Sequence, residues 1–218
     1  MANLVTTSRL VLVLAVILLA YGPPTAWRLL TVPLLIAAFV TDAVDGHLAR
    51  KRGEASVFGA MLDIAVDRIV ELCLWVVLAH LDLVPVWVPI VFIIRGGLVD
   101  TIRGAASARR HRAPFDTVEG RIARWLVAGS FMRTFYAVVK AVTFCWLMLL
   151  HGLAPLVPGL FAAWGWLLEG IGTGLVWLSV AICLLRGLPV VNEYLAALAP
   201  AASKPGATDA ADARPVRH

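Results

Sequence analysis

Charged residues are scarce in this chain. Lys, Arg, Asp and Glu make up 15% of its 218 residues, whereas hydrophobic residues make up 61%. The mean hydropathy is +0.86. Soluble globular domains carry about 25% charged residues, so the composition excludes an ordinary soluble domain. We therefore expect an integral membrane protein.

Cysteine is also rare, with only Cys73, Cys145 and Cys183 in the chain. They are far apart and form no C-x-x-C pair, which excludes a disulfide framework and a zinc site of that spacing. We interpret them as small buried apolar residues within membrane helices.

Apolar runs long enough to cross a bilayer, about 20 residues each, occur six times. They predict an all-α integral membrane protein with six transmembrane helices in one domain, residues 1–198. The spans are expected near residues 8–21, 27–46, 58–80, 85–106, 122–150 and 161–186. Residues 199–218 are rich in Ala and Pro and have no apolar period, so they predict a disordered tail.

Lys and Arg are absent from the connections on one side of these spans, about 22–26, 81–86 and 151–160. The opposite connections are basic, with Arg50, Lys51 and Arg52 after the second span and a group of arginines between the fourth and fifth. The positive-inside rule places both termini in the cytoplasm. The expected location is therefore the cytoplasmic (inner) membrane, and the net charge of +5 reflects topology and lipid headgroups. Nucleic acid is not an expected partner.

Four aspartates interrupt two consecutive apolar runs. Asp42 and Asp45 are three residues apart, and Asp63 and Asp67 are four apart. On helices each pair projects from one face, and an antiparallel pair of helices would bring all four to one depth near the cytoplasmic surface. Each carboxylate costs roughly 2.5–3.5 kcal/mol inside a bilayer. A bound divalent cation such as Mg²⁺, Mn²⁺ or Ca²⁺ is the expected compensation.

Small and basic residues accompany the aspartates. Gly46 and Gly59 keep the adjacent surface small, so that a bulky ligand can approach closely. Arg50 offers a bidentate donor suited to phosphate. These neighbours predict a ligand that contains phosphate.

The spacing of these residues resembles the signature of the CDP-alcohol phosphatidyltransferase family, D-x2-D-G-x2-A-R-x8-G-x3-D-x3-D. Every position of the signature is present: Asp42, Asp45, Gly46, Ala49, Arg50, Gly59, Asp63 and Asp67. The resemblance implies an enzyme of phospholipid biosynthesis that transfers the phosphatidyl group of CDP-diacylglycerol to an alcohol and releases CMP. It also implies a homodimer.

The resemblance assigns roles to individual residues. Asp42, Asp45 and Asp63 would bind two Mg²⁺ or Mn²⁺ ions, with Asp67 beside them as the catalytic base. The nucleotide and its pyrophosphate would lie against six residues, one of which also binds metal: Thr6, Asp42, Gly46, Arg50, Ser56 and Gly59.

The alcohol acceptor is expected at the later helices. Arg95 and Arg103 are eight residues apart in the fourth span, and Arg133 and Lys140 are seven apart in the fifth. Cations within spans suggest a phosphorylated acceptor, although pairing with Glu71, Asp100 or the motif aspartates is an alternative.

Arg95 with Arg103, and Arg133 with Thr134, resemble the R-E-x6-R and K-T elements of bacterial phosphatidylglycerophosphate synthases, which use glycerol 3-phosphate. Two positions differ: Gly96 stands in the place of a Glu, and no Gln follows Thr134 at the expected offset. A phosphatidylinositol-phosphate synthase using inositol 1-phosphate therefore remains an alternative. A cation transporter is a distant one, because the carboxylates flank a cytoplasmic loop and no inverted repeat is visible.

Overall fold

Long helices account for nearly all of the described chain. The computed structural model describes the backbone of residues 2–52, 57–110 and 130–198, and side chains over most of 8–41, 64–102 and 131–192. Within these residues there are six α-helices: α1 (Ala2–Ala20), α2 (Thr31–Arg52), α3 (Val57–His80), α4 (Trp87–Arg110), α5 (Ser130–Leu153) and α6 (Pro158–Leu198). A short 3-10 helix, Ala26–Leu30, precedes α2. The predicted tail, residues 199–218, lies outside the described residues.

Each predicted span overlaps one of these helices, although residues 122–129 of the fifth span lie outside the described residues. Among the described residues, two helical segments are long and apolar enough to cross a membrane, Phe131–Leu153 and Pro158–Asn192. The apolar part of α1, Ser8–Ala20, and the apolar segment formed by the 3-10 helix and the start of α2, Ala26–Thr41, are shorter. Helices α3 and α4 carry several charges along their length. Six complete crossings remain a prediction.

The helices form a ring in the order α2, α1, α3, α4, α6, α5, and α5 returns to α2. Helix α1 therefore packs against both motif helices, α2 and α3, instead of leaving them as an isolated pair. An aromatic cluster occupies the interior, where Trp75 stacks on Phe92 with ring centroids 4.6 Å apart and lies 4.8 Å from Phe144. The ring closes around an apolar core.

The outer surface of the bundle is apolar, which is the reverse of a soluble protein. Large exposed side chains occur on all six helices, for example Val11, Ile36, Val76, Ile94, Val142 and Leu185. Cys183 is buried as expected, whereas Cys73 is exposed on α3, which corrects the expectation that all three cysteines are buried. The exposed thiol is consistent with a lipid-facing position.

The two ends of the bundle differ in polarity. Ion pairs join the start of α1 to α3, α3 to α4, and α3 to the first half of α5. At the opposite end, Tyr21 packs on His80, and His151 contacts the carbonyl oxygen of Ala20 at 3.1 Å. These contacts show that helices consecutive in the chain run in opposite directions. The ion pairs named above lie at one end of the bundle.

Buried hydroxyl groups link α5 to α6. The Oγ1 of Thr143 lies 3.1 Å from the Oγ of Ser179, and both residues are fully buried. Interhelical hydroxyl contacts of this kind stabilise helix pairs in an apolar environment. The link sets the register that places Tyr136 and Lys140 on α5 opposite Cys183 and Arg186 on α6.

Candidate active site

The four motif aspartates lie on α2 and α3. Asp42 and Asp45 belong to the C-terminal half of α2, and Asp63 and Asp67 to the N-terminal half of α3. Of the predicted nucleotide residues, Thr6 lies on α1, Gly46 and Arg50 on α2, and Gly59 on α3. The side chains of these residues other than Asp67, and the whole of Ser56, lie outside the described part of the structure.

Asp67 is the one motif aspartate whose side chain is described, and it forms an ion pair with Arg9. The Nη1 of Arg9 contacts the Oδ1 of Asp67, and the two side chains are 6% and 49% exposed. A buried guanidinium from α1 thus contacts one oxygen of the expected base. Within the described side chains no group of three or more His, Cys, Asp or Glu could hold a metal ion.

Sequence reasoning missed Arg9. It lies three residues after Thr6 in the N-L-V-T-T-S-R segment, so both residues project from one face of α1. An arginine at the start of an apolar run was a signal that the sequence offered. Its partner, Asp67, could be identified only from the packing of α1 against α3.

A chain of ion pairs continues from the Asp67 region. Glu71 lies one helical turn after Asp67, and its two carboxylate oxygens contact different cations. Oε1 is 2.8 Å from the Nζ of Lys140, and Oε2 accepts a hydrogen bond from the Nη1 of Arg68 at 3.2 Å. Arg68 also reaches Asp100 on α4, with 3.2 Å between Nε and Oδ2. The chain joins α3, α4 and α5.

Lys140, Arg95 and Arg186 converge around Tyr136, and we call these three residues the cation cluster. The Nζ of Lys140 lies 4.4 Å from the centroid of the Tyr136 ring, and the Cζ of Arg186 lies 5.6 Å from it. Arg95 passes along α6 beside Gly187, the neighbour of Arg186. Sequence reasoning found Arg95 and Lys140 but missed Arg186, which it treated as the end of the last span.

The two other predicted acceptor residues lie on α5 and α4. Arg133 is exposed on the first turn of α5. Arg103 lies on α4, and its side chain is outside the described residues. Pairing with Glu71, an alternative that the sequence left open, applies to Lys140.

The described side chains of this region are mostly basic. The cation cluster and Arg68 are four positive groups, and Glu71 and Asp100 are two negative groups that contact Lys140 and Arg68. Arginine binds phosphate in a bidentate manner, and lysine attracts it as a point charge. Such a set of cations suits an anionic ligand such as a phosphate group.

Gly187 allows Arg95 to approach α6 closely. A Cβ atom at this position would lie 3.0 Å from the Cγ of Arg95 and 3.2 Å from its Nε. If Arg95 binds the alcohol acceptor as the sequence predicts, Gly187→Ala should displace its guanidinium and raise the KM for the acceptor by about 3- to 10-fold. The expected rise is smaller than for complete loss of a hydrogen bond to a charged group, which costs about 1.5–3 kcal/mol. Steady-state kinetics with varied acceptor measure this change.

Gly174→Ala is the matched control for Gly187→Ala. It lies on the same helix, and a Cβ atom there would meet no atom within 4 Å. Its kinetics should equal those of the unmodified protein. Equal acceptor KM values for the two variants would contradict the positioning of Arg95 by Gly187.

Comparison with known proteins adds an independent finding. Residues 1–185 match the family described as CDP-alcohol phosphatidyltransferase. A cardiolipin synthase (CMP-forming) of Streptomyces coelicolor is 29% identical over 179 residues, which cover 81% of this chain and 75% of that protein. A probable phosphatidylglycerophosphate synthase of Mycobacterium tuberculosis is 32% identical over 112 residues, or 50% of this chain and 54% of that protein.

A shorter match has higher identity. The CDP-diacylglycerol–glycerol-3-phosphate 3-phosphatidyltransferase of Bacillus subtilis is 39% identical over 70 residues, which cover 32% of this chain and 36% of that protein. This name specifies glycerol 3-phosphate as the acceptor of that protein.

Proposed function

Because the chain belongs to the CDP-alcohol phosphatidyltransferase family, whose profile matches residues 1–185, we propose that it transfers the phosphatidyl group of CDP-diacylglycerol to glycerol 3-phosphate. The products are phosphatidylglycerol phosphate and CMP. The proposal agrees with relatives named glycerol-3-phosphate phosphatidyltransferase and phosphatidylglycerophosphate synthase. The activity places the protein in phospholipid biosynthesis.

The cation cluster around Tyr136 carries the choice of a phosphorylated acceptor. A phosphate monoester bears about −1.5 to −2 charges at pH 7, which suits binding by two guanidinium groups and one ammonium group. Serine or choline would bring no anion to this site. Arg95, Lys140 and Arg186 are the proposed acceptor-binding residues, and Arg103 and Arg133 are proposed to attract the acceptor nearer the cytoplasmic surface.

The proposed reaction is a displacement at the β-phosphorus of CDP-diacylglycerol. The acceptor hydroxyl oxygen forms a new bond to this phosphorus, the bond from the phosphorus to the bridging pyrophosphate oxygen breaks, and CMP leaves with that oxygen. Asp67 accepts the hydroxyl proton, and Arg9 holds one oxygen of Asp67 so that the other faces the acceptor. Thr6, Asp42, Gly46, Arg50, Ser56 and Gly59 are proposed to contact the nucleotide and pyrophosphate.

Divalent metal is the proposed cofactor. Asp42, Asp45 and Asp63, with Asp67, are the residues that would hold two Mg²⁺ or Mn²⁺ ions, since hard oxygen ligands suit these metals. When bound, such ions neutralise the pyrophosphate charge and polarise the phosphorus.

The proposal also includes the topology of the protein. We propose six membrane crossings, with both termini in the cytoplasm and the site facing the cytoplasm at the inner membrane. The proposed assembly is a homodimer.

A second candidate acceptor is a lipid alcohol. A relative that aligns over 81% of this chain is named a cardiolipin synthase (CMP-forming). A phosphodiester acceptor carries one negative charge, so the cation cluster would attract it less strongly than a phosphate monoester with about −1.5 to −2 charges. This difference favours the phosphate monoester.

An acceptor panel tests the proposal. Purified protein in liposomes with Mg²⁺ and CDP-diacylglycerol should release CMP with glycerol 3-phosphate, and release should stop when EDTA is in excess. Phosphatidylglycerol, inositol 1-phosphate, serine and glycerol serve as parallel acceptors. Release only with phosphatidylglycerol or only with inositol 1-phosphate would replace the proposed acceptor. No release with any alcohol would overturn the proposed function.

A further inference from the structure

Tyr136 carries a buried hydroxyl group that forms no hydrogen bond of normal geometry with the described residues. The residue is 7% exposed. The thiol of Cys183 lies within reach of this hydroxyl, but a thiol is only a weak hydrogen-bonding group. Because buried hydroxyl groups are almost always well hydrogen-bonded in native proteins, the lack of a strong partner points to a ligand.

The surroundings of Tyr136 specify the charge of that ligand. Lys140 and Arg186 lie on its ring, and Arg95 lies beside Gly187, the neighbour of Arg186. Glu71 contacts Lys140 at 2.8 Å. A neutral hydroxyl group beside these cations can donate a hydrogen bond to an anion that the cations also attract.

We infer that the Tyr136 hydroxyl donates a hydrogen bond to the phosphate group of the acceptor alcohol. This inference rests on the proposed function and adds an acceptor-binding residue to it. Phosphate oxygens only accept hydrogen bonds, so they complement both the phenol and the guanidinium groups of Arg95 and Arg186. The hydroxyl then distinguishes a phosphorylated acceptor from the same alcohol without phosphate.

The sequence offered no signal for this role. Tyr136 lies in the segment F-M-R-T-F-Y-A-V-V-K, where an aromatic residue at helical spacing reads as part of the core. Only the packing of α5 against α6 brings Tyr136 to Cys183 and Arg186.

Tyr136→Phe tests the inference, because it removes one oxygen atom and keeps the ring that Lys140 and Arg186 contact. We expect the KM for glycerol 3-phosphate to rise by about 10-fold, as for loss of a hydrogen bond to a charged group. The KM for CDP-diacylglycerol should stay unchanged, and kcat should change less than about 3-fold. The ratio of kcat/KM for glycerol 3-phosphate to that for glycerol should fall by the same factor of about 10.

Calorimetric titration of the protein with glycerol 3-phosphate measures the same contact without turnover, and affinity should again fall by about 10-fold. Tyr21→Phe is the control, since Tyr21 packs on His80 at the opposite end of the bundle and should leave binding and kinetics unchanged.

Two results would overturn the inference. Unchanged acceptor affinity in Tyr136→Phe would mean that the hydroxyl contacts water instead of the phosphate. Equal losses with glycerol 3-phosphate and glycerol would assign Tyr136 a structural role. Failure of the proposed function is distinguishable from both results, because the unmodified protein would then release no CMP with any acceptor.

Discussion

Asp67→Asn is expected to reduce CMP release by about 1,000-fold or more, because general bases contribute about 10²- to 10⁴-fold to catalysis. Asparagine keeps the shape of the side chain but cannot accept the proton of the attacking hydroxyl. The ion pair with Arg9 would also lose its charge. The measurement is CMP release under saturating CDP-diacylglycerol and glycerol 3-phosphate.

The KM for CDP-diacylglycerol separates the two roles proposed for Asp67. If Asp67 acts mainly as the base, this KM and the Mg²⁺ concentration for half-maximal activity should stay close to those of the unmodified protein. A large increase in the Mg²⁺ requirement would instead assign Asp67 to metal binding. Intact turnover in Asp67→Asn would eliminate the base assignment.

Asp82→Asn is the matched control for the Asp67 variant. Asp82 is exposed at the end of the bundle away from the motif, and its φ of 58° is in the left-handed region that asparagine also adopts readily. The same chemical change should therefore leave both folding and activity intact there.

Lys140→Met is expected to have the second largest effect, because it removes a positive charge from the acceptor site and a counter-ion from Glu71. The two side chains are 17% and 9% exposed and 2.8 Å apart. Breaking a buried ion pair costs about 3–5 kcal/mol, and the lower value, about 3 kcal/mol, applies since Arg68 still contacts Glu71. We expect a lower Tm in detergent and a rise of about 10-fold or more in acceptor KM.

The double variant Glu71→Gln/Lys140→Met separates stability from binding. With both charges removed, Glu71 no longer leaves a buried carboxylate that lacks its lysine partner. The double variant should therefore recover most of the Tm that Lys140→Met loses. The acceptor KM should remain raised, because the ammonium group that attracts the phosphate is still absent. Full recovery of the acceptor KM in the double variant would show that Lys140 serves only as the partner of Glu71.

The helices could be predicted from the sequence because apolar runs and their charged or Pro-containing boundaries are local features. Predicted span 58–80 corresponds to α3, Val57–His80, and span 85–106 to α4, Trp87–Arg110. The last helix extends beyond its predicted end at residue 186 to Leu198 and contains Pro189. The predicted end at residue 186 marked only the end of the apolar run, and the helix continues beyond that run.

The ring order of the helices could not be predicted in the same way. Sequence reasoning treated α2 and α3 as the motif pair, but α1 packs against both, and its Arg9 reaches Asp67. Contacts between helices depend on side chains that are far apart in the chain, and hydropathy does not encode which helices become neighbours.

The sequence by itself determined the membrane class, the approximate positions of the described helices and the family. Apolar runs, and fixed spacings of aspartates, glycines and Arg50 along two helices, are properties of the linear chain. The tertiary structure decided which basic residues work together. It grouped Arg95 and Lys140 with Arg186 around the hydroxyl of Tyr136, and it gave Lys140 a partner in Glu71. The reason is physical: the charge balance of a buried site depends on distances of a few ångströms between helices, and packing alone sets those distances.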